Sequence, residues 1–416
     1  MYSNNLKKLV THPVLLNIYW LMSEKILTVG LIFYAEGLIA KLLTKYQYGE
    51  WIYSLNLVTL ISSLALIAGA EVAVPALSRN KSLTDEIITS LFKIRFFFAL
   101  IAFLALNIYC VIFVEPSLLK KFIMMLSVII ILNEPFSVVI NYYQSITKIK
   151  SIALLRLFSL ACRTFFIWLC YCLTLQANLL ALSRVIELFI LAISLIFLWK
   201  YKKFRWKVKP GITKFLFIRG ASLWPSLVLM YLYLRMDRFF VEHYLSFEVL
   251  AVYGIAVQLT EQTFVLVKMI IQSAAPRYVY ARMNHTNLLR NIKKLILFNV
   301  IICSSISVLC FFLLPLIVTS LFGENYQRAA SLAINMLPAL FFYSIDSVIM
   351  QYLYREKKSI LILFKWGAGT ILMFVSYYMY FDFFEMKALS IIYNLNYFCM
   401  MLLTITVFLW GRQYDK

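Results

Sequence analysis

The chain has 416 residues, 63% of them hydrophobic and only 14% charged, with a mean hydropathy of +0.83. A soluble domain carries about 45–50% apolar and about 25% charged residues, so one water-soluble core cannot absorb this excess. The 40 Lys plus Arg against 19 Asp plus Glu give a net charge of +21, which would suggest nucleic acid if the basic residues were not placed as they are. A helix needs about 20 apolar residues to span a bilayer. Runs that meet this are predicted at 13–40, 49–76, 87–114, 122–144, 152–174, 177–199, 215–242, 249–275, 293–320, 328–354, 359–380 and 388–411. The fold class expected is therefore an all-α polytopic membrane protein with about twelve transmembrane helices. Long apolar runs, rather than weak alternation, argue against an outer-membrane barrel. The opening "MYSNNLKKLVTHP" lacks a small-residue cleavage site after its first apolar run, so that run is read as a retained first span.

The connecting segments fix an orientation. Those on the side opposite the N-terminus carry Lys41, Lys45, Lys120, Lys121, Arg328 and Lys387, whereas most other Lys and Arg fall on the N-terminal side. This is the positive-inside pattern, with both termini cytoplasmic, and it accounts for the basic balance without nucleic acid. The longest connection, "KYKKFRWKVKPGITK", covers 200–214 in mid-chain and should lie against anionic lipid. It divides the chain into an N-terminal six-helix lobe (1–199), a basic cytoplasmic linker (200–214) and a C-terminal six-helix lobe (215–416). The halves look related: "YGEWIYSLNLVTLISSLALIAGAEVAVPALSR" in the first matches "EVLAVYGIAVQLTEQTFVLVKMIIQSAAPRYVYAR" in the second, with Tyr53 and Pro75 set against Tyr253 and Pro276. Repeats of this kind are typical of transporters.

Cys110, Cys162, Cys170, Cys172, Cys303, Cys310 and Cys399 all lie in apolar runs and read as small packing residues. No paired C-x-x-C and no constellation of His12, His243 and His285 points to a metal, and no cofactor is expected.

The intramembrane charges are the candidates for function, because each costs about 2.5–3.5 kcal/mol at the centre of an inserted helix. At 1.5 Å per residue, Glu24 and Lys25 lie about 18 Å into the first span. Neighbours on a helix point in different directions, so at least one of the two needs a partner elsewhere. Glu134, beside Pro135, and Arg163 fall at similar depth on consecutive spans and are expected to pair. Arg184 and Glu187 should pair at i,i+3. Glu261 lies deep in span eight, with Lys268 nearer the cytoplasm. Arg235, Asp237, Arg238 and Glu242 count out to the outer interface. Arg95, Arg156, Arg219 and Lys365 are expected to snorkel to the inner face. Pro135, Pro225, Pro315 and Pro338 should kink their helices. Tyr142 and Tyr143 are candidates for stacking on sugars.

Three stretches carry a family resemblance: "GLIAKLLTKYQYGEWIYSLNLVTLISSLALIAGAE", "EPFSVVINYYQSITKIKSIALLRL" and "YLRMDRFFVEHYLSFEVLAVYGIAVQLTEQ". With the span layout, they resemble the multidrug/oligosaccharidyl-lipid/polysaccharide exporter superfamily, and within it the O-antigen and capsule repeat-unit flippases. The order Tyr253-Gly254 is a small departure. The resemblance implies two six-helix lobes in a V around a wet, cationic cavity. It also implies transport of an undecaprenyl-pyrophosphate-linked oligosaccharide to the periplasmic leaflet of the bacterial inner membrane, not an enzymatic reaction. Implied partners are membrane lipid, the lipid-linked oligosaccharide, a coupling ion (proton or sodium) and other polysaccharide assembly proteins. In that frame Lys25, Arg163, Glu261 and Lys268 are cavity or substrate candidates, and Glu24, Arg235, Asp237 and Arg238 are gate or ion-coupling candidates. The alternatives are a multidrug cation antiporter of the same fold, an integral-membrane polysaccharide polymerase and an assembly scaffold. Short loops without clustered carboxylates or Arg argue against the polymerase.

Overall fold

The computed structural model describes residues 13–146, 150–174, 176–202, 204–280, 285–356, 358–380 and 388–413. Lys7, Lys8, His12, Lys148, Lys203, Arg282, Lys357, Lys387 and Lys416 lie outside these residues. All regular elements among the described residues are helical. The first half contains α1 (Pro13–Leu42), α2 (Lys45–Ser62), α3 (Ala70–Arg79), α4 (Thr84–Phe113), α5 (Leu118–Asn133), α6 (Ser137–Ser145), α7 (Lys150–Cys172) and α8 (Leu180–Tyr201). The second contains α9 (Pro210–Tyr244), α10 (Phe247–Ala275), α11 (His285–Phe322), α12 (Gln327–Met336), α13 (Pro338–Arg355), α14 (Ser359–Tyr380) and α15 (Ala388–Gln413).

Among the described residues, nine helices are long and apolar enough to cross a membrane, or eleven with the bent pairs α2/α3 and α12/α13. The 30-residue α1, about 45 Å long, supplies a twelfth rod. The chain is thus an all-α membrane fold of two six-helix lobes. In the first, α1 packs on α7, α2 on α5 and α7 on α8. In the second, α13 packs on α15, α9 on α14 and α14 on α15. The outer surface is apolar, with Phe97, Ile112, Phe312 and Leu316 all more than half exposed, as lipid-facing side chains should be. Several charges are buried within the helices instead, among them Glu36, Arg95, Arg163, Arg238 and Lys365.

The bends have local causes. Span two breaks after a short 3-10 turn (Ser63–Ala65), and Ala68 takes φ +55° there. Span four breaks over Glu134, Pro135 and Phe136, where proline has no N–H to continue the ladder. Arg95 of α4 ties the two breaks together, donating to the Ala68 carbonyl and the Ser137 hydroxyl, each at 2.6 Å. The Asn141 amide oxygen also accepts from it, at 3.0 Å. Arg95 is 1% exposed, so it does not snorkel: two unpaired carbonyl-rich breaks offered it acceptors inside the lobe. Pro338 opens α13 at the 47° bend from α12. Pro225 and Pro315 sit inside continuous α9 and α11.

The connection between the halves is shorter than expected, because α8 runs to Tyr201 and α9 starts at Pro210. Trp206 stacks on Trp199 at 5.9 Å and meets Phe92 edge-on at 5.6 Å, which pins the connection to the first lobe. Lys202, Arg205, Lys207 and Lys209 remain exposed.

The second helix of each lobe starts in the same way. Thr44 accepts from the Gln47 N–H within a capping box, and Ser246 accepts from the Val249 N–H. A hydroxyl at this position satisfies a donor that the helix itself cannot, at about 1 kcal/mol. Thr44→Ala is expected to lower stability by about that amount, read as a lowered unfolding temperature of the purified protein. Counted from these caps, the repeat aligns Trp51 with Tyr253. The register is therefore two residues away from the one the sequence match gave.

Candidate functional site

α2 and α10 cross between the lobes near their N-terminal ends. A Cβ on Gly49 would stand 1.9 Å from the Phe247 carbonyl oxygen, and one on Gly254 2.5 Å from Ile52 Cδ1. Only glycine allows such an approach. Tyr53 adds edge contacts to Phe239 and Phe247 at 5.0 and 5.7 Å. At the same end, Lys41 of α1 donates to the Ser320 carbonyl of α11 at 3.1 Å. This end of the molecule, opposite the basic linker, is sealed by lobe-to-lobe contact.

Beyond the seal lies a cavity of about 370 Å³, walled by α1, α2, α5, α8, α9 and α10. Its charged lining is Glu36, Glu134, Arg184, Glu187, Arg235, Arg238 and Glu261. The cavity expected from the resemblance is cationic. The one observed has carboxylates for its arginines, because each wall carries its own ion network.

In the first lobe Glu36 is the hub. It accepts from Trp51 Nε1 at 3.0 Å, from Arg163 at 2.6 Å and from Arg184 at 3.3 Å. Glu187 lies 3.3 Å from Arg184 and 3.7 Å from Arg163. The expected Arg184–Glu187 pair forms, but as part of this larger network. The expected Glu134–Arg163 pair does not. Glu134 accepts from Asn133 at 2.8 Å, while Arg163 faces α1 and α8.

In the second lobe Arg238 is the hub. It lies 3.1 Å from Asp237 and 2.7 Å from Glu261. Arg235 lies 3.7 Å from Glu261 and donates across the lobes to Asn56 at 3.1 Å. Tyr253 donates to Asp237 at 2.8 Å. The two walls are built alike. In each, a buried carboxylate near the end of the lobe's first helix accepts from an aromatic side chain in the second turn of the next helix, Glu36 from Trp51 and Asp237 from Tyr253.

Depth counting placed Arg235, Asp237 and Arg238 at the outer interface, yet Asp237 and Arg238 are buried and Glu261 pairs with Arg238. Two facts reconcile this. At 35 residues α9 is about 52 Å long, more than the roughly 30 Å hydrocarbon core. Side chains also tilt toward the N-terminus of their helix, so on antiparallel α9 and α10 Arg238 and Glu261 lean toward one another.

The other candidates lie elsewhere. Glu24 and Lys25 are half-buried on α1, with the Glu24 carboxylate accepting from Thr28 at 3.3 Å, and neither lines the cavity. Lys268 is exposed. Arg163 stands behind Glu36 rather than in the lining. Arg156 and Arg219 are exposed, Arg219 lying 5.0 Å from the Phe215 ring. Lys365, expected to snorkel, is fully buried 2.6 Å from Asp346. Tyr143 is buried, and Tyr142 packs on Phe204 at 4.8 Å, so both are spent on packing.

Glu36, Trp51, Asn56 and Asp346 were not anticipated. A signal for Glu36 existed in "FYAEGLIA": a lone acid between the small residues Ala35 and Gly37, where another helix can come close.

Residues 38–331 match the family described as polysaccharide biosynthesis protein. No curated protein matches the chain in sequence. Among solved structures, lipid II flippase MurJ in an inward closed conformation is similar at TM-score 0.70 and 14% identity, over 95% of this chain and 89% of that one. A multidrug resistance MATE family transporter of the MOP superfamily, inward-facing, is similar at TM-score 0.65 and 14% identity, over 93% and 94%. A MOP superfamily transporter from Pyrococcus furiosus, described as having a binding pocket of reverse polarity, gives TM-score 0.62 and 13% identity over 94% and 93%. The chain belongs to the polysaccharide biosynthesis protein family and has the fold of the MOP-superfamily transporters.

Proposed function

We propose that this protein is a flippase, not an enzyme, for an undecaprenyl-pyrophosphate-linked oligosaccharide such as an O-antigen or capsule repeat unit. The family match and the fold shared with a lipid II flippase support the reading. The observation that carries it is a pair of arginines on facing walls. Arg184 and Arg235 line the cavity, and the Nε of each is a buried donor with no hydrogen-bond partner. Planar guanidinium groups match phosphate oxygens in pairs. Glu187 and Glu261 hold these arginines in place. A diphosphate entering from the basic side exchanges with the carboxylates for the guanidinium N–H groups of these arginines. The sugars then occupy the polar lining of Asn56, Thr59, Gln258 and Gln262, while the polyprenyl tail stays in lipid.

The lobes, 1–199 and 215–416, would rock about the α2–α10 crossing, with the linker on the cytoplasmic face of the inner membrane and both termini on that side. A proton or sodium gradient would drive the cycle, and other polysaccharide assembly proteins would receive the product. Arg184→Ala and Arg235→Ala are each expected to lower flipping at least tenfold in liposomes bearing a short-tailed polyprenyl-pyrophosphate oligosaccharide, read by lectin at the outer leaflet. Folding is checked by gel filtration, and Lys268→Ala should flip normally. A second reading, a cation antiporter, is favoured by the carboxylates Glu36, Glu134, Glu187 and Glu261 in the lining. Wild type that moves no lipid-linked sugar but releases a cationic dye against a proton gradient would establish that reading instead.

A further inference from the structure

A second charged site lies inside the C-terminal lobe, away from the cavity. Lys365 of α14 is fully buried, its Nζ 2.6 Å from Asp346 Oδ1 of α13. Thr404 of α15 donates its hydroxyl to the same carboxylate oxygen. The Trp366 ring faces the ammonium, its centroid 4.4 Å from Nζ. Tyr233 packs on Trp366 at 5.8 Å and borders a void of about 20 Å³ shared with Asp237 and Glu261. Lys365, Asp346 and Thr404 are all absent from the lining of the central cavity.

A buried ion pair is a poor way to hold a lobe together. Apolar residues of the same volume are often as stable or better. Charged groups at bilayer depth are expensive and usually mark function. The surroundings suggest what that function is. A carboxylate, a hydroxyl oxygen and an aromatic face are together a donor set for a small monovalent cation. Here the positive charge arrives on a covalent stem.

We propose that Lys365 is a tethered cation. It fills a monovalent-cation site made by Asp346, Thr404 and the Trp366 ring, so the C-terminal lobe carries its own positive charge and takes up no free sodium there. Removing the Lys365 side chain while keeping Asp346 then leaves a negatively charged vacancy of the right chemistry for lithium or sodium.

The test is cation-dependent thermal unfolding of the full-length protein in nanodiscs, in lithium, sodium, potassium or choline chloride at equal ionic strength. Wild type should show no lithium- or sodium-dependent stabilisation that Asp346→Asn removes. Lys365→Ala should be less stable in choline and recover by several degrees, saturably, in lithium or sodium. The double variant Lys365→Ala/Asp346→Asn should lose that recovery. If Lys365→Ala does not fold in choline, Lys365→Gln, which keeps more of the volume, is held to the same criterion. Saturable stabilisation of wild type by sodium that Asp346→Asn abolishes would overturn the proposal. So would Lys365 variants that respond alike to all four salts. The readout is cation binding, so its outcome is independent of what the central cavity carries.

Discussion

Arg163→Ala should yield little folded protein. The guanidinium is completely buried and bonds Glu36 at 2.6 Å, with Glu187 at 3.7 Å. Removing it leaves Glu36, itself 3% exposed, with Trp51 and the half-buried Arg184 as its partners, and opens a void beside them. Breaking a buried pair by taking one partner costs about 3–5 kcal/mol, because an uncompensated charge remains behind. That is a large part of the roughly 5–15 kcal/mol of a typical domain. The measurement is fluorescence-detected gel filtration and thermal unfolding in detergent. The double change Arg163→Met/Glu36→Leu should regain most of the loss, since no orphaned charge is left and Arg184 still has Glu187. Lys268→Ala, at an exposed site, should stay within about 0.5 kcal/mol of wild type. Wild-type stability in Arg163→Ala would mean that the network does not hold α1 to α7 and α8 as described.

Gly49→Val should open the sealed end. Its Cβ has no room, since the Phe247 carbonyl oxygen lies 1.9 Å from where that atom would be. Backbone cannot yield as a side-chain tip can, so α2 and α10 must separate. Overpacking costs about 1–3 kcal/mol. Charged against the sealed state alone, this shifts the balance between sealed and open forms by about 5- to 150-fold. A cysteine placed at Gln258, on the cavity wall, reports the shift. Its labelling by a membrane-impermeant maleimide from the sealed side, located by mass spectrometry among the native cysteines, should accelerate by that factor. Gly254→Ala should do less, because its obstacles are side-chain atoms of Ile52, Cδ1 at 2.5 Å and Cγ2 at 2.9 Å, rather than backbone. Equal labelling of Gly49→Val and its parent would show that this crossing is not the barrier.

The lengths and order of the spans were legible in the sequence because they follow from apolar runs and basic loops, which depend on composition alone. The kink at Pro135 was expected, but the break at Ala68 and the tie between the two breaks were not. They depend on Arg95 reaching two carbonyl-rich gaps at once, which no single window of sequence contains. The site was half legible. Arg235, Arg238, Glu261, Arg184 and Glu187 stood out as charges in greasy surroundings and do line the cavity. Apart from the Arg184–Glu187 pair, their partners did not follow, because depth measured along one helix ignores tilt, excess helix length and the direction in which side chains lean. Glu36 and Arg163 lie far apart in sequence, and only the packing of α1 on α7 brings them together.

The crossing of α2 and α10 bears on how two like halves share one chain. Ile52 and Gly254 stand the same number of residues beyond the caps Thr44 and Ser246, and they touch each other. A residue on a twofold axis meets its own copy. Two identical halves placed this way would set isoleucine against isoleucine, or leave a gap between two glycines. A fused chain escapes that constraint, since one copy can be large and the other absent. The Ile52–Gly254 pair is a knob and its socket, available only once the two halves are free to differ.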